Sequence, residues 1–62
     1  MSWLHIKTNR LYKQLYTAID CTKGRDEPEV VIYTPLEVYE QGVLTELYTR
    51  DKIEFFQKFK PV

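Results

Sequence analysis

Residues 11–21, "LYKQLYTAIDC", admit two readings, and the choice between them decides the fold. Leu11, Leu15, Ala18 and Ile19 recur at helical spacing, and the length suits a helix. Read with a period of two, the same stretch puts Leu11, Leu15, Ile19 and Cys21 with Lys13 and Thr17 on one side. Tyr12, Tyr16 and Ala18 with Gln14 and Asp20 then fall on the other. The aromatic and β-branched content favours a long, bent strand, and the flanking segments agree. Downstream, "TKGRDEPE" (22–29) is a polar connection containing Gly24 and Pro28. It leads into "VVIYT" (30–34), an unbroken apolar run that suits a strand covered on both faces. Pro35 ends that strand or sets it beside an edge. A hairpin of 11–21 with 30–34 is the economical arrangement.

Further out, "WLHIK" (3–7) alternates, with Leu4 and Ile6 opposite Trp3, His5 and Lys7, the period of a short strand with one wet face. "TNR" (8–10) follows as a turn in which Asn9 tolerates a left-handed backbone. "PLEVYEQG" (35–42) reads as a connection turning at Gly42, and "VLTELYTR" (43–50) as a further strand. Asp51 with Glu54 three residues on is a capping-box pattern that opens a short helix, with Pro61 beyond it. Ile53 and Phe56, joined by Phe55 and Phe59, are expected on its buried side. The fold expected is all-β: a small barrel of four to five strands with a C-terminal helical turn, in a single domain over residues 1–62.

At 62 residues the chain is near the lower limit for a core without disulfides or metals, and five tyrosines, three phenylalanines and one tryptophan supply the large side chains such a core needs. One cysteine, Cys21, excludes an internal disulfide and a multi-cysteine zinc site, which favours a reducing, cytoplasmic setting. Beside Asp20 its thiol is in poor company for reactivity, and a buried structural role is expected. No stretch has the apolar length of a signal peptide or a membrane span, so a soluble protein without membrane partners is expected. Nine basic and nine acidic residues cancel, which removes any global field toward a polyanion. Their order is nonetheless uneven: residues 1–25 are basic, residues 26–48 hold six acids and no Lys or Arg, and the last fourteen are again net basic.

The layout resembles a family of short bacterial and phage proteins classed only as a domain of unknown function. Its pattern is a His-x-Lys-x-x-Tyr opening, a Val-Val-x-Tyr strand and a closing aromatic-x-Arg-Pro-x-x-x-Phe. "HIKTNRLY" supplies His5, Lys7 and Tyr12 with a longer turn, "VVIY" supplies Val30, Val31 and Tyr33, and "YTRDKIEF" supplies Tyr48, Arg50 and Phe55. Tyr48 stands where tryptophan is commoner and Asp51 where the family has proline; both Asp and Pro can open a helical turn. The resemblance implies a strongly bent sheet similar to the barrels called SH3-like, and no activity.

No phosphate loop, nucleophile elbow or zinc pattern occurs, so no cofactor or catalytic role is expected. Glu37, Glu40 and Glu46 are too dispersed for paired catalytic carboxylates. Candidate binding residues are His5, Lys7, Tyr12, Tyr33, Tyr48 and Arg50. The tyrosines, Tyr16 included, either fill the core or line an aromatic groove. Arg50 either pairs with one of the acids in 26–48 or stacks on a tyrosine, or it clamps an anion with His5 and Lys7 should the first and last strands be neighbours. The leading expectation is a small non-enzymatic module that binds a protein partner as a regulatory or accessory subunit. The alternatives are nucleic acid, bound through Lys7, Arg10, Lys13, Lys23, Arg25 and Arg50, and a small anionic ligand held by His5, Lys7 and Arg50.

Overall fold

A computed structural model describes residues 2–21 and 29–62. The connection expected over "TKGRDEPE", with Lys23 and Arg25, lies almost wholly outside the described residues. The described chain is mostly β. In order come β1 (Ser2–His5), β2 (Arg10–Ile19), β3 (Glu29–Pro35), α1 (Leu36–Glu40), β4 (Tyr48–Asp51), α2 (Lys52–Lys58) and β5 (Phe59–Pro61). The strands form one antiparallel sheet in the order β4-β3-β2-β1-β5. The sheet is not closed into a barrel. β4 and β5 are its two edges, and α2 runs between them instead of a hydrogen-bonded ladder.

Residues 11–21 are extended, and a bulge explains why neither parity read from the sequence holds throughout. Tyr12 stands opposite Pro35 and Gln14 opposite Tyr33; the register then shifts between Gln14 and Tyr16, after which Thr17 stands opposite Val31. Directly opposed residues share a sheet face, so Tyr12 and Gln14 lie on the core face while Tyr16 has passed to the other. Leu15 is the extra residue. The bend it introduces lets the sheet curl around the aromatic side chains.

Two further expectations are corrected. "VLTELYTR" pairs only from Tyr48, because β3 ends at Pro35, which has no N–H to offer the residue opposite it. The Thr34 hydroxyl, fully buried, instead donates to the Glu46 carbonyl at 2.6 Å and holds that segment as irregular chain. In α2, Phe55 (0% exposed) and Phe59 at its C-cap (3%) face the core four residues apart, whereas Ile53 (71%) and Phe56 (47%) do not. The Asp51 cap is as expected, its carboxylate accepting from the backbone N–H groups of Ile53 and Glu54 at 3.1 and 3.3 Å, while the Glu54 carboxylate of the expected capping box is bonded to Arg50. The connection 35–42 contains the short helix α1 and turns at Gly42, whose φ of 82° lies in the left-handed region.

The core is Val31, Tyr33, Phe55 and Phe59, with Trp3 and Tyr12 packed against it. Phe55 and Phe59 stack at 4.3 Å, and Tyr33 meets both rings at 5.2–5.3 Å. On β1 the packed face is the one carrying Trp3 and His5; Ile6 lies beyond the strand and is exposed. Cys21 is exposed too, against the expectation of a buried thiol.

Candidate functional site

The β1–β2 turn begins the site. Asn9 takes φ 63°, its N–H bonds the His5 carbonyl at 2.7 Å, and the loop Ile6–Asn9 closes tightly. The Ile6 N–H donates to the Lys58 carbonyl at 2.9 Å, and the Val62 N–H to the Ser2 carbonyl at 3.1 Å. These bonds extend the β1–β5 pairing at both ends; the strand over 43–50, expected to be the last and to lie beside the first, is instead β4 at the opposite edge. One consequence is local: the turn carrying Lys7 is fastened to the end of α2, which carries Lys58.

Arg50 comes from the opposite edge. It stands across from Val31 on the core face of β4. Its Nε donates to the Tyr33 hydroxyl at 3.3 Å, its Nη1 to Glu54 at 2.6 Å, and its guanidinium lies 5.7 Å from the centre of the Phe59 ring. The bond to Tyr33, ahead of the Glu54 pairing, raises its already high pKa. The acid it pairs with is Glu54, outside the expected 26–48, and the ring under its guanidinium is Phe59 and not a tyrosine; two protein acceptors fix the side chain.

His5, Ile6, Lys7, Arg50, Gln57 and Lys58 line one cleft of about 390 Å³. His5 packs on Phe59 at 4.7 Å, and its Nδ1 lies 2.7 Å from the Thr8 hydroxyl. Partial burial of its ring and the fields of Arg50, Lys58 and Lys7 hold its pKa below the usual 6.5. Among the described residues, the ion pairs of this protein are Arg10–Glu37, Arg50–Glu54 and Lys52–Glu29. Neither Lys7 nor Lys58 takes part in one.

Of the six candidate residues, His5, Lys7 and Arg50 thus meet in the cleft. Tyr12, Tyr33 and Tyr48 do not line it; they form the ring-to-ring row behind it. His5 meets Tyr12 at 6.3 Å, Tyr12 meets Tyr33 at 5.4 Å, and Tyr33 meets Tyr48 at 5.8 Å. Tyr33, only 5% exposed, is a core residue whose hydroxyl positions Arg50. Tyr48 donates to Glu46 at 2.9 Å, and that bond raises its pKa. Gln57 and Lys58 escaped the sequence reading. The available signal was a lysine in the last turn of a capped helix, but its neighbour across the sheet is set by the β1–β5 pairing.

Of the wider basic set, Lys23 and Arg25 lie outside the described residues, and Arg10 and Lys13 do not join Lys7 and Arg50. Arg10 pairs with Glu37 at 2.8 Å in a second concavity of about 370 Å³, lined also by Asn9, Leu11, Leu36 and Glu40. Lys13 is on the other face of β2, its ammonium 5.2 Å from the Tyr39 ring centre. Among the described residues no three His, Cys, Asp or Glu side chains are grouped to hold a metal, and no helix is long and apolar enough to cross a membrane.

Compared with known proteins, the chain matches no family model, no curated protein and no solved structure.

Proposed function

We propose that this chain is a small non-catalytic binding domain that docks an acidic segment of a protein partner in the His5–Lys7–Arg50–Lys58 cleft, in a regulatory or accessory role. One observation carries the reading: three cations from three separate elements converge on one concavity, and two of them, Lys7 and Lys58, have no ion-pair partner among the described residues. Like charges held together weaken the fold slightly, and an anion bound between them reverses that cost.

Protein is favoured over nucleic acid because the remaining described cations do not join the cleft. Arg10 and Lys52 are paired, and Lys13 and Lys60 lie on the opposite face of the sheet, so they make no continuous track with it for a phosphate backbone. Catalysis is disfavoured at the cleft, where the hydroxyl and base within hydrogen-bond reach are Thr8 and His5: burial and the cations lower the basicity of the imidazole. For the fold, we place the sheet in the SH3-like class. The strand order β4-β3-β2-β1-β5, with a helical turn between the last two strands, supports that placement.

The test is calorimetric titration with a short glutamate-rich peptide across a salt series. The expected result is an affinity that falls with salt and is lost in the Lys7→Gln, Lys58→Gln double variant. Unchanged binding by that variant would refute the site.

A further inference from the structure

Resting on that binding reading, we propose that the anionic group the cleft takes is a phosphomonoester, the phosphorylated serine, threonine or tyrosine of a partner protein.

Charge is the first argument. Lys7, Lys58 and Arg50 bring three positive charges to the cleft and Glu54 one negative, leaving a net of plus two with a neutral His5. A phosphorylated side chain carries about −1.5 to −2 at neutral pH, whereas a carboxylate carries one charge and leaves a cation unmatched.

Donor geometry is the second. An arginine selects a planar carboxylate by offering two parallel N–H groups along one edge of its guanidinium. Both such edges of Arg50 are compromised, since Nε is given to Tyr33 and Nη1 to Glu54. Nη2 alone has no acceptor among the described residues; its N–H groups remain for an incoming anion, but neither edge keeps both of its nitrogens unshared for a bidentate fork. The other donors are lysine ammoniums, point charges on separate elements. They suit the three oxygens of a tetrahedral group approached from several sides.

The third argument concerns what carries the phosphate. A nucleic-acid phosphodiester has one charge per phosphate and would need a basic track leading from the cleft, whereas Arg10 and Lys52 are paired and Lys13 and Lys60 lie on the other sheet face. The cleft has no aromatic slot for a base beyond the His5 ring, which already rests on Phe59. It does adjoin both sheet edges, because Arg50 belongs to β4 and Lys58 directly precedes β5. Edge strands offer main-chain donors and acceptors to an extended peptide.

The experiment uses three versions of one short peptide, carrying phosphoserine, glutamate or serine at its centre, each titrated into the full chain with amide shifts followed by NMR. The phosphoserine version is expected to shift Ile6, Lys7, Gln57 and Lys58 and to bind roughly tenfold tighter than the glutamate version. Lys58→Gln is expected to erase that difference; the side chain is exposed and without an ion pair, so the variant folds. Equal affinities of the phosphoserine and glutamate versions overturn the phosphoryl assignment while leaving the acidic-segment reading intact. Failure of both to bind overturns the two together. An oligothymidylate that displaces the phosphopeptide from the same amides at lower concentration overturns the peptide as the source.

Discussion

Two concavities flank the β1–β2 turn, each built around an arginine already bonded to a glutamate, yet they differ in what is left over. On one side Arg10 meets Glu37 at 2.8 Å with Glu40 nearby, and both partners of the pair are largely exposed. On the other, Arg50 meets Glu54 at 2.6 Å, is itself only about one quarter exposed, and is joined by Lys7, Lys58 and His5. The Arg10 site balances its arginine with more negative charge than it needs. The Arg50 site keeps an excess of positive charge and places it over the aromatic core. The presence of an arginine in a hollow therefore says little; the charge that remains after internal pairing, and how firmly it is held, distinguish a surface salt bridge from a site.

The strongest way to break this contrast is through the floor of the cleft. His5 and Arg50 both rest on the Phe59 ring, which also stacks on Phe55. Phe59→Ala is expected to cost ~3–5 kcal/mol. That is comparable to the whole stability of so short a chain, at ~0.05–0.15 kcal/mol per residue. Loss of the cooperative thermal transition, followed by circular dichroism, is the expected outcome. Leu11→Ala, at the exposed second concavity, is expected to leave the transition in place. Similar melting curves for the two variants would show that the cleft is not seated on the core.

Next in size is the arginine pair itself. Arg50→Ala leaves the Tyr33 hydroxyl without its donor and removes the contact with Phe59, for a loss of ~1.5–3 kcal/mol in urea denaturation. Arg10→Ala breaks only an exposed pair and is expected to cost ~0–1 kcal/mol. Equal losses would mean that Arg50 is held no more firmly than Arg10.

That difference was only partly legible in the sequence. Strand content, the Asp51 cap and the left-handed Asn9 followed from local chemistry, which depends on a few neighbouring residues. The bulge at Leu15 did not, because an extra residue is visible only once two strands are put in register. The truncation of "VLTELYTR" needed the same information, since the strand facing it ends at Pro35. His5, Lys7 and Arg50 were singled out on the condition that the first strand and the strand carrying Arg50 be neighbours, and that condition is not met: β4 lies at the edge opposite β5, and the three side chains line one cleft without a ladder between their strands. Lys58 was missed because its partner in the cleft, Lys7, lies 51 residues away and is reached through the Ile6–Lys58 bond.

Charge can be removed from the cleft without touching its floor. Lys7→Gln with Lys58→Gln deletes two unpaired cations, so stability is expected to change by less than ~0.5 kcal/mol, upward if repulsion is relieved. Binding of the acidic peptide is expected to disappear. A clear fall in stability instead would mean that these lysines serve the fold through contacts other than ion pairs, and the contrast between the two concavities would lose its functional meaning.

The smallest expected effect is the most direct report on the convergence of charge. His5 faces Lys7 and Thr8 of its own turn, Tyr12 on β2, Arg50 on β4, and Lys58 and Phe59 at the end of α2. Burial, then Arg50, Lys58 and Lys7, lower its pKa from 6.5. The unfolded chain therefore takes up a proton at higher pH than the folded one. The contribution to stability is complete above about 6.5 and is lost as the pH falls through the folded value. An NMR titration of the imidazole is expected to give a midpoint below 6.5, moved toward 6.5 by Lys58→Gln and unmoved by Arg10→Gln. Saturation with the phosphoserine peptide reverses the sign, because an anion among the same cations favours the imidazolium and lifts the midpoint. A midpoint at or above 6.5 in the free protein would mean that the cations do not act on His5 together, and the second concavity would then be no worse a candidate than the first.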